Sequence, residues 1–110
     1  MICLKARALS VNKCWRGRRF KTDTYLDYEI ELFSELKKTK KIEIPKGKMQ
    51  VEIEVGLSSK LADLDNIAKP LIDILQKYYG FNDKQIYKLV MVKVDVKKKE
   101  EYIKFNLKQL

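Results

Sequence analysis

Three aspartates and a lysine near the middle of the chain have the residue types that hold a metal ion against a phosphate. Asp63 and Asp65 are separated by one residue, Lys69 follows Asp65 by one helical turn, and Asp83 comes later. Mg²⁺ takes oxygen ligands and commonly uses one or two carboxylates together with waters and substrate phosphates. Attack of water on a phosphodiester needs an activated nucleophile and relief of developing negative charge, which bound metal provides. We therefore predict a site for Mg²⁺, with Mn²⁺ as an alternative, at Asp63, Asp65 and Asp83.

The same residues also have ordinary structural explanations. A D-x-D sequence is common in loops, where one acid caps the following helix, and Asp83 can be a turn residue. Asp73 can support the site, or it can form an ion pair with a neighbouring lysine of its helix. An EF-hand loop starting at Asp63 is excluded, because the positions that require Gly and Glu hold Ala68 and Ile74.

Composition limits the chemistry and suggests the partner. The 110 residues carry 24 basic and 15 acidic side chains, a formal net charge of +9, and the first 22 residues contain seven Lys or Arg and no acid. Such a charge favours a polyanionic partner, since binding releases the counterions condensed on it; a lysine-rich proteome is the alternative explanation. The absence of His and the presence of only Cys3 and Cys14 argue against a zinc site and against histidine acid–base catalysis.

A basic segment near the N-terminus contains the candidate contacts to nucleic acid. Arg and Lys bind phosphates, and an exposed Trp can stack on a base, although a single Trp can equally pack against the core. The candidate DNA-binding residues are Asn12, Lys13, Trp15, Arg16, Arg18 and Arg19.

Hydrophobic periodicity predicts an α/β (α+β) fold, a single domain over residues 1–110 with a small mixed sheet and two helices in the order βαβαββ. Apolar residues on both faces of the third main strand predict a central position in the sheet, and we expect this strand to form an antiparallel hairpin with the last one. A further short extended piece is expected at 42–44. The predicted strands are Ile2–Leu9, Met49–Leu57, Gln85–Val96 and Tyr102–Lys108, and the predicted helices run from Thr22 or Asp23 to Lys38 and from Asn66 to Tyr79.

The second helix organises the candidate site. Spacing of four residues places Asp65, Lys69 and Asp73 along one polar face. Asp63 and Asp65 are expected to lie in an extended segment and point the same way, with Pro70 in the first turn of the helix. The chain is expected to fold back along the helix and return Asp83 to the other acids.

No apolar run reaches the length of about 20 residues that a membrane span needs, and the N-terminus lacks the apolar core of a signal peptide. We therefore expect a cytoplasmic protein without a membrane partner.

The run Asp63-Leu64-Asp65-Asn66-Ile67-Ala68-Lys69, continued by Asp73 and by Asn82-Asp83-Lys84-Gln85-Ile86, resembles the signature of the RusA family of Holliday junction resolvases. The upstream Ser10-Val11-Asn12-Lys13-Cys14-Trp15-Arg16 is similar to a second stretch of that family. One position departs from the pattern, since Asn82 stands where the family often has an acid.

The resemblance implies an Mg²⁺-dependent homodimer, often encoded by phages and prophages, which resolves four-way DNA junctions by paired symmetric nicks in recombination and repair. It implies that Asp63, Asp65 and Asp83 bind metal, that Lys69 is catalytic, and that Asn66 supports the site. Two alternatives remain: a non-catalytic nucleic-acid-binding module, and a metal nuclease acting on other branched DNA.

Overall fold

The computed structural model describes residues 1–10, 15–16, 20–21 and 23–110. Its elements are β1 (Ile2–Leu4), β2 (Trp15–Arg16), β3 (Phe20–Lys21), α1 (Asp23–Lys37), β4 (Met49–Leu57), α2 (Leu64–Tyr79), a 3₁₀ turn (Asp83–Gln85), β5 (Ile86–Asp95) and β6 (Tyr102–Gln109). The main sheet has the order β1-β6-β4-β5, and β2 and β3 form a separate antiparallel pair. Because β4 and β5 are parallel while β6 runs antiparallel to β1 and β4, the predicted small mixed sheet is confirmed.

The hydrophobic core lies between the two helices and one face of the sheet. Strand β4 alternates as predicted, with the side chains at odd positions from Met49 to Leu57 buried and the glutamates between them partly exposed. The helices add apolar stripes at helical spacing, and both pack on the core through these stripes. The principal buried residues are Tyr25, Tyr28, Leu32 and Leu36 of α1, Ile67, Leu71, Ile74 and Leu75 of α2, and Ile103, Phe105 and Leu107 of β6.

On β4 and β6, the opposite face of the sheet is polar, and its side chains form charged and hydrogen-bonded pairs. Glu52 lies 2.7 Å from the Lys108 Nζ, and the Tyr102 hydroxyl donates a 2.6 Å hydrogen bond to Glu54. Gly56 is required beneath the Tyr102 ring, since a Cβ there would collide with the ring atoms. The helices therefore cover one face alone, and the fold has two layers.

Two predictions about β5 are wrong. The strand lies at the edge of the sheet instead of the centre, and it pairs with β4 in parallel instead of forming a hairpin with β6. The helix α2 connects β4 to β5 by a crossover, which makes them parallel neighbours. Strand β6, whose inward residues are fully buried, takes the central place between β1 and β4.

The first strand is shorter than expected, although its pattern of burial is not. β1 ends at Leu4, yet Ala6 and Ala8 remain buried and continue the alternation. The expected extended piece at 42–44 does not form a strand; Ile42 and Ile44 pack against the core from an irregular connection.

Candidate functional site

The two central aspartates lie at the N-terminus of α2. Asp63 is the N-cap residue, with φ −89° and ψ 136°, and its side chain makes no capping hydrogen bond. Asp65 lies in the first turn and is exposed. The helix thus begins two residues before the predicted start at Asn66. Asp63 has the expected extended backbone, whereas Asp65 lies in the helix instead. Because the carboxylate of Asp63 does not cap the helix, both acids can bind a ligand, and the positive end of the helix dipole stabilises their charges.

The polar face predicted for α2 is confirmed. Asp65 and Lys69 are exposed, Asp73 is partly exposed, and the apolar residues lie on the other side. Lys69 Nζ lies 3.7 Å from an Asp73 carboxylate oxygen, whereas Lys77 donates to Glu29 at 3.0 Å. The pairing of Asp73 is therefore with Lys69. An exposed i,i+4 pair of this kind contributes only about 0.3–0.5 kcal/mol, so it leaves the Lys69 ammonium group free to move on the polar face of α2.

Pro70 lies in the second turn of the helix, because the helix starts at Leu64. The expectation that it occupies the first turn is wrong. Proline has no N–H to donate to the carbonyl four residues earlier, here that of Asn66. Pro70 therefore carries the free-energy cost of a proline inside a helix. Its ring is buried.

A cleft of about 570 Å³ opens beside the start of α2. It lies between the chain after β1, the outer face of α1, the loop after β4 and the first turn of α2, and Asp63 and Asn66 form one wall. Asp27 and Glu31 of α1 face the same space, and neither was among the site residues predicted from the sequence. The alternation of acids on the polar side of α1 was the available signal.

The ends of the basic segment are attached at this cleft. Ser10, directly before the basic segment of residues 11–21, and Thr24, three residues after its end, both line the cleft. Four of the six candidate DNA-binding residues (Asn12, Lys13, Arg18 and Arg19) lie outside the described residues. The backbones of Trp15 and Arg16 form β2, which pairs with β3.

The loop that leads to Asp63 is held by two contacts from the neighbouring strands. Lys93 Nζ donates to the carbonyls of Lys60 at 3.4 Å and Ala62 at 3.1 Å. The Ser58 hydroxyl donates to Glu101 at 2.9 Å, and this bond lowers the pKa of that carboxyl. Lys93 is a positioning residue that the sequence analysis missed, because its role depends on β5 lying beside β4.

Asp83 lies at the opposite end of the sheet from Asp63 and Asp65. In the parallel pair, the first residue of β4 faces Ile86 and the last faces Asp95, so Asp83 lies near the start of β4 while Asp63 follows its end. Nine residues of β4 span about 25–30 Å. Within the described part of the chain, no three Asp, Glu or Cys side chains come together closely enough to hold a metal ion. The expected return of Asp83 along the helix is therefore wrong for a single chain.

Asn82 caps the 3₁₀ turn through its side-chain oxygen, a role that an aspartate can also fill. Its side chain accepts from the backbone N–H of Lys84 at 2.9 Å, and the Gln85 side chain accepts from the backbone N–H of Asn82 at 3.0 Å. The two bonds form a capping box for the 3₁₀ turn. Asp83 follows with an exposed side chain, so the turn presents its carboxylate to solvent.

Comparison with protein-family models matches residues 5–105 to the family described as endodeoxyribonuclease RusA. The chain belongs to the RusA family. The match spans almost the whole described fold, including α2, the 3₁₀ turn and the strands on both sides of them, and it confirms the resemblance drawn from the sequence. Comparison with curated proteins gave no match.

Membership of the RusA family makes this protein an endodeoxyribonuclease of a family that acts on DNA junctions. In this RusA-family chain, the cleft with Asp63 in its wall, the exposed Asp65 and the residues that flank the basic segment lie at one end of the sheet. No helix in the described ranges is long and apolar enough to span a membrane.

Proposed function

We propose that this RusA-family protein is an Mg²⁺-dependent, structure-selective nuclease that resolves four-way DNA junctions by paired symmetric nicks in recombination and repair. The observation that carries the proposal is the pair of exposed acids at the start of α2, where Asp63 occupies the N-cap position without using its carboxylate as a cap. A side chain placed where capping is expected, and not used for it, is available to a ligand.

The donor set fits a hard cation, since Asp63 and Asp65 offer carboxylate oxygens and Asn66 an amide at the edge of the cleft. Bound Mg²⁺ would supply an activated water and neutralise charge that develops on the phosphate. Lys69, which lies on the same face of α2 and pairs with Asp73, would stabilise the developing charge on the phosphate oxygens. The basic segment, which leaves and re-enters the fold at the cleft, would hold the junction arms by phosphate contacts.

Two copies of the chain are part of the proposal. Paired nicks in strands of like polarity need two sites related by a two-fold axis, and two-fold dimers are the commonest assembly. Because Asp83 and the other acids lie at opposite ends of β4, a strand about 25–30 Å long, we propose that each metal site combines Asp63 and Asp65 of one chain with Asp83 of its partner. The dimer would then complete each metal site and would relate the two sites by the two-fold axis that symmetric cuts need.

The test is cleavage of a synthetic four-way junction and of a linear duplex, each with Mg²⁺ and with EDTA. We expect nicks in the junction alone and only with Mg²⁺. Asp65→Asn should abolish cutting while junction binding is retained or tightened, because a negative charge near phosphates is removed. Asp23→Asn, the same change in the first turn of α1, is the matched control and should cut normally.

Three results would contradict the proposal. Normal cutting by Asp65→Asn would remove the acid from the site. Tight binding to the junction without cutting under any metal condition would favour a nucleic-acid-binding module, and equal cutting of other branched substrates would favour a broader nuclease.

A further inference from the structure

The outer edge of β5 is the longest unpaired backbone edge in the described sheet. β5 spans ten residues and pairs with β4 on one side alone. Such an edge presents a row of free N–H and C=O groups that pair readily with another strand. The edge of β1, at the other side of the sheet, is only three residues long.

The side chains of β5 are apolar on both faces. On the helix-bearing face, Leu89 and Met91 lie beside Val51 and Ile53 of β4, and Leu89 remains 44% exposed. On the polar face of the sheet, Val92 is 46% exposed. Val90 and Val94 share that face with it, because their β4 partners are the residues that point away from the core. A strand with this pattern is typical of a sheet interior, where neighbours cover both faces.

We propose that β5 pairs antiparallel with β5 of a second copy of this chain, about a two-fold axis perpendicular to the sheet, and forms a continuous eight-stranded sheet. The inference rests on the proposed homodimer and deepens it by assigning the interface. This axis keeps each face of the sheet on the same side in both copies. The stripe of Val90, Val92 and Val94, called the valine stripe below, therefore lies beside the same stripe of the second copy. In the pairing centred on Met91, Val90 lies opposite the partner's Val92.

The charges of β5 are compatible with this self-pairing. Lys88 lies on the face of the valine stripe and Lys93 on the helix-bearing face, since their β4 partners, Gln50 and Val55, have opposite orientations. Residues opposite each other across the interface share a face, so Lys88 never faces the partner's Lys93. Like charges directly opposite would destabilise the pair, and in the pairing centred on Met91 this arrangement avoids them.

The direction of the pairing agrees with the site. In an antiparallel pair, the start of β5 in one copy lies beside the end of β5 in the other. Asp83 directly precedes β5, and the end of β5 lies beside the end of β4, from which the chain continues to Asp63. The pairing therefore moves the partner's Asp83 to the end of the sheet that carries Asp63 and Asp65.

Disulfide trapping tests the interface directly. In a Cys3→Ser, Cys14→Ser background, the variants Val90→Cys, Met91→Cys and Val92→Cys are oxidised without DNA or metal. Opposite Cα atoms in an antiparallel pair are about 4.5–5.5 Å apart, within the range of about 4.4–6.8 Å that a disulfide accepts. We expect one of the three, Met91→Cys for the central register, to form a covalent dimer rapidly. Ile30→Cys, 68% exposed on α1, is the control and should not.

Oligomeric state gives the second readout. Val92→Lys, which places charges in the paired stripe, should shift the protein from dimer to monomer in sedimentation, whereas Ile30→Lys should leave the dimer intact. Thermal unfolding shows that each variant is folded. A dimer that persists in Val92→Lys and gives no crosslink at 90, 91 or 92 would overturn the interface, as would a wild-type protein that is monomeric at tens of micromolar.

The outcomes separate this inference from the proposed function. Crosslinking at β5 in a protein that cuts no junction would support the interface and contradict the activity. Junction cleavage by a dimer that never crosslinks at β5 would support the activity and overturn the interface.

Discussion

Mixing two inactive variants should restore cleavage if each site takes acids from both chains. Asp65→Asn removes an acid at the start of α2, and Asp83→Asn removes the exposed acid at the far end of the sheet. Each variant alone has two damaged sites per dimer. In a mixed dimer, one site contains both substitutions and the other contains neither. That second site has every acid in place.

The size of the recovery follows from counting sites. Random pairing of equal amounts makes half of the dimers mixed, and each mixed dimer has one intact site of two, so about a quarter of the wild-type sites are restored. If all three acids of a site came from one chain, every site in the mixed dimer would be damaged and nothing would be restored. The separation of about 25–30 Å along β4 is what favours the first outcome.

The assay is nicking of a labelled four-way junction after the two variants are unfolded together and refolded, with wild type treated identically. The product should be mainly singly nicked junction, since a mixed dimer has one working site. Asp63→Asn mixed with Asp65→Asn is the matched control, because both changes affect the same chain's contribution and no intact site can form. Recovery equal to that control, in samples shown to contain mixed dimers, would refute the shared site. Full activity of Asp83→Asn alone would refute it equally.

The remaining predictions concern the sheet, the helix and the DNA contacts. The bond from Tyr102 to Glu54, together with burial, raises the pKa of Tyr102 from 10.0 to about 12. The folded state thus keeps a proton that the unfolded state loses, and stability should fall as pH rises from 10 towards 12; Tyr102→Phe should remove one high-pH step of the tyrosinate absorbance titration and this part of the pH dependence. Pro70→Ala should raise the free energy of unfolding by about 1–2 kcal/mol in urea titrations, because a proline inside a helix costs about 3 kcal/mol and its buried ring returns only part of that; a loss of stability would show that the ring's packing dominates. Arg18→Ala combined with Arg19→Ala should reduce the slope of log binding constant against log salt by up to about 2, and an unchanged slope would remove both arginines from the DNA contacts.

The sequence by itself determined the family and the class of fold. Periods of two and of 3.6 residues in the positions of apolar residues identified β4, β6 and both helices, because each of these elements buries one face or one stripe. The spacing of Asp65, Lys69 and Asp73 placed them on one face of α2, as found, because that relation depends on helix geometry alone. The family could be identified from the sequence because its motif lies in two short stretches of the chain and does not depend on long-range contacts.

The tertiary structure decided the order of the strands and therefore which acids come together. Periodicity reports whether a residue is buried, and the two-sided apolar pattern of β5 is the same for a central strand and for an edge that a second chain covers. The place of Asp83 depends on β4 and β5 being parallel, a long-range pairing that no local pattern specifies. The start of α2 at Leu64 left Asp63 at the N-cap, and the capping box at Asn82 required side chains whose partners are fixed only in the folded turn.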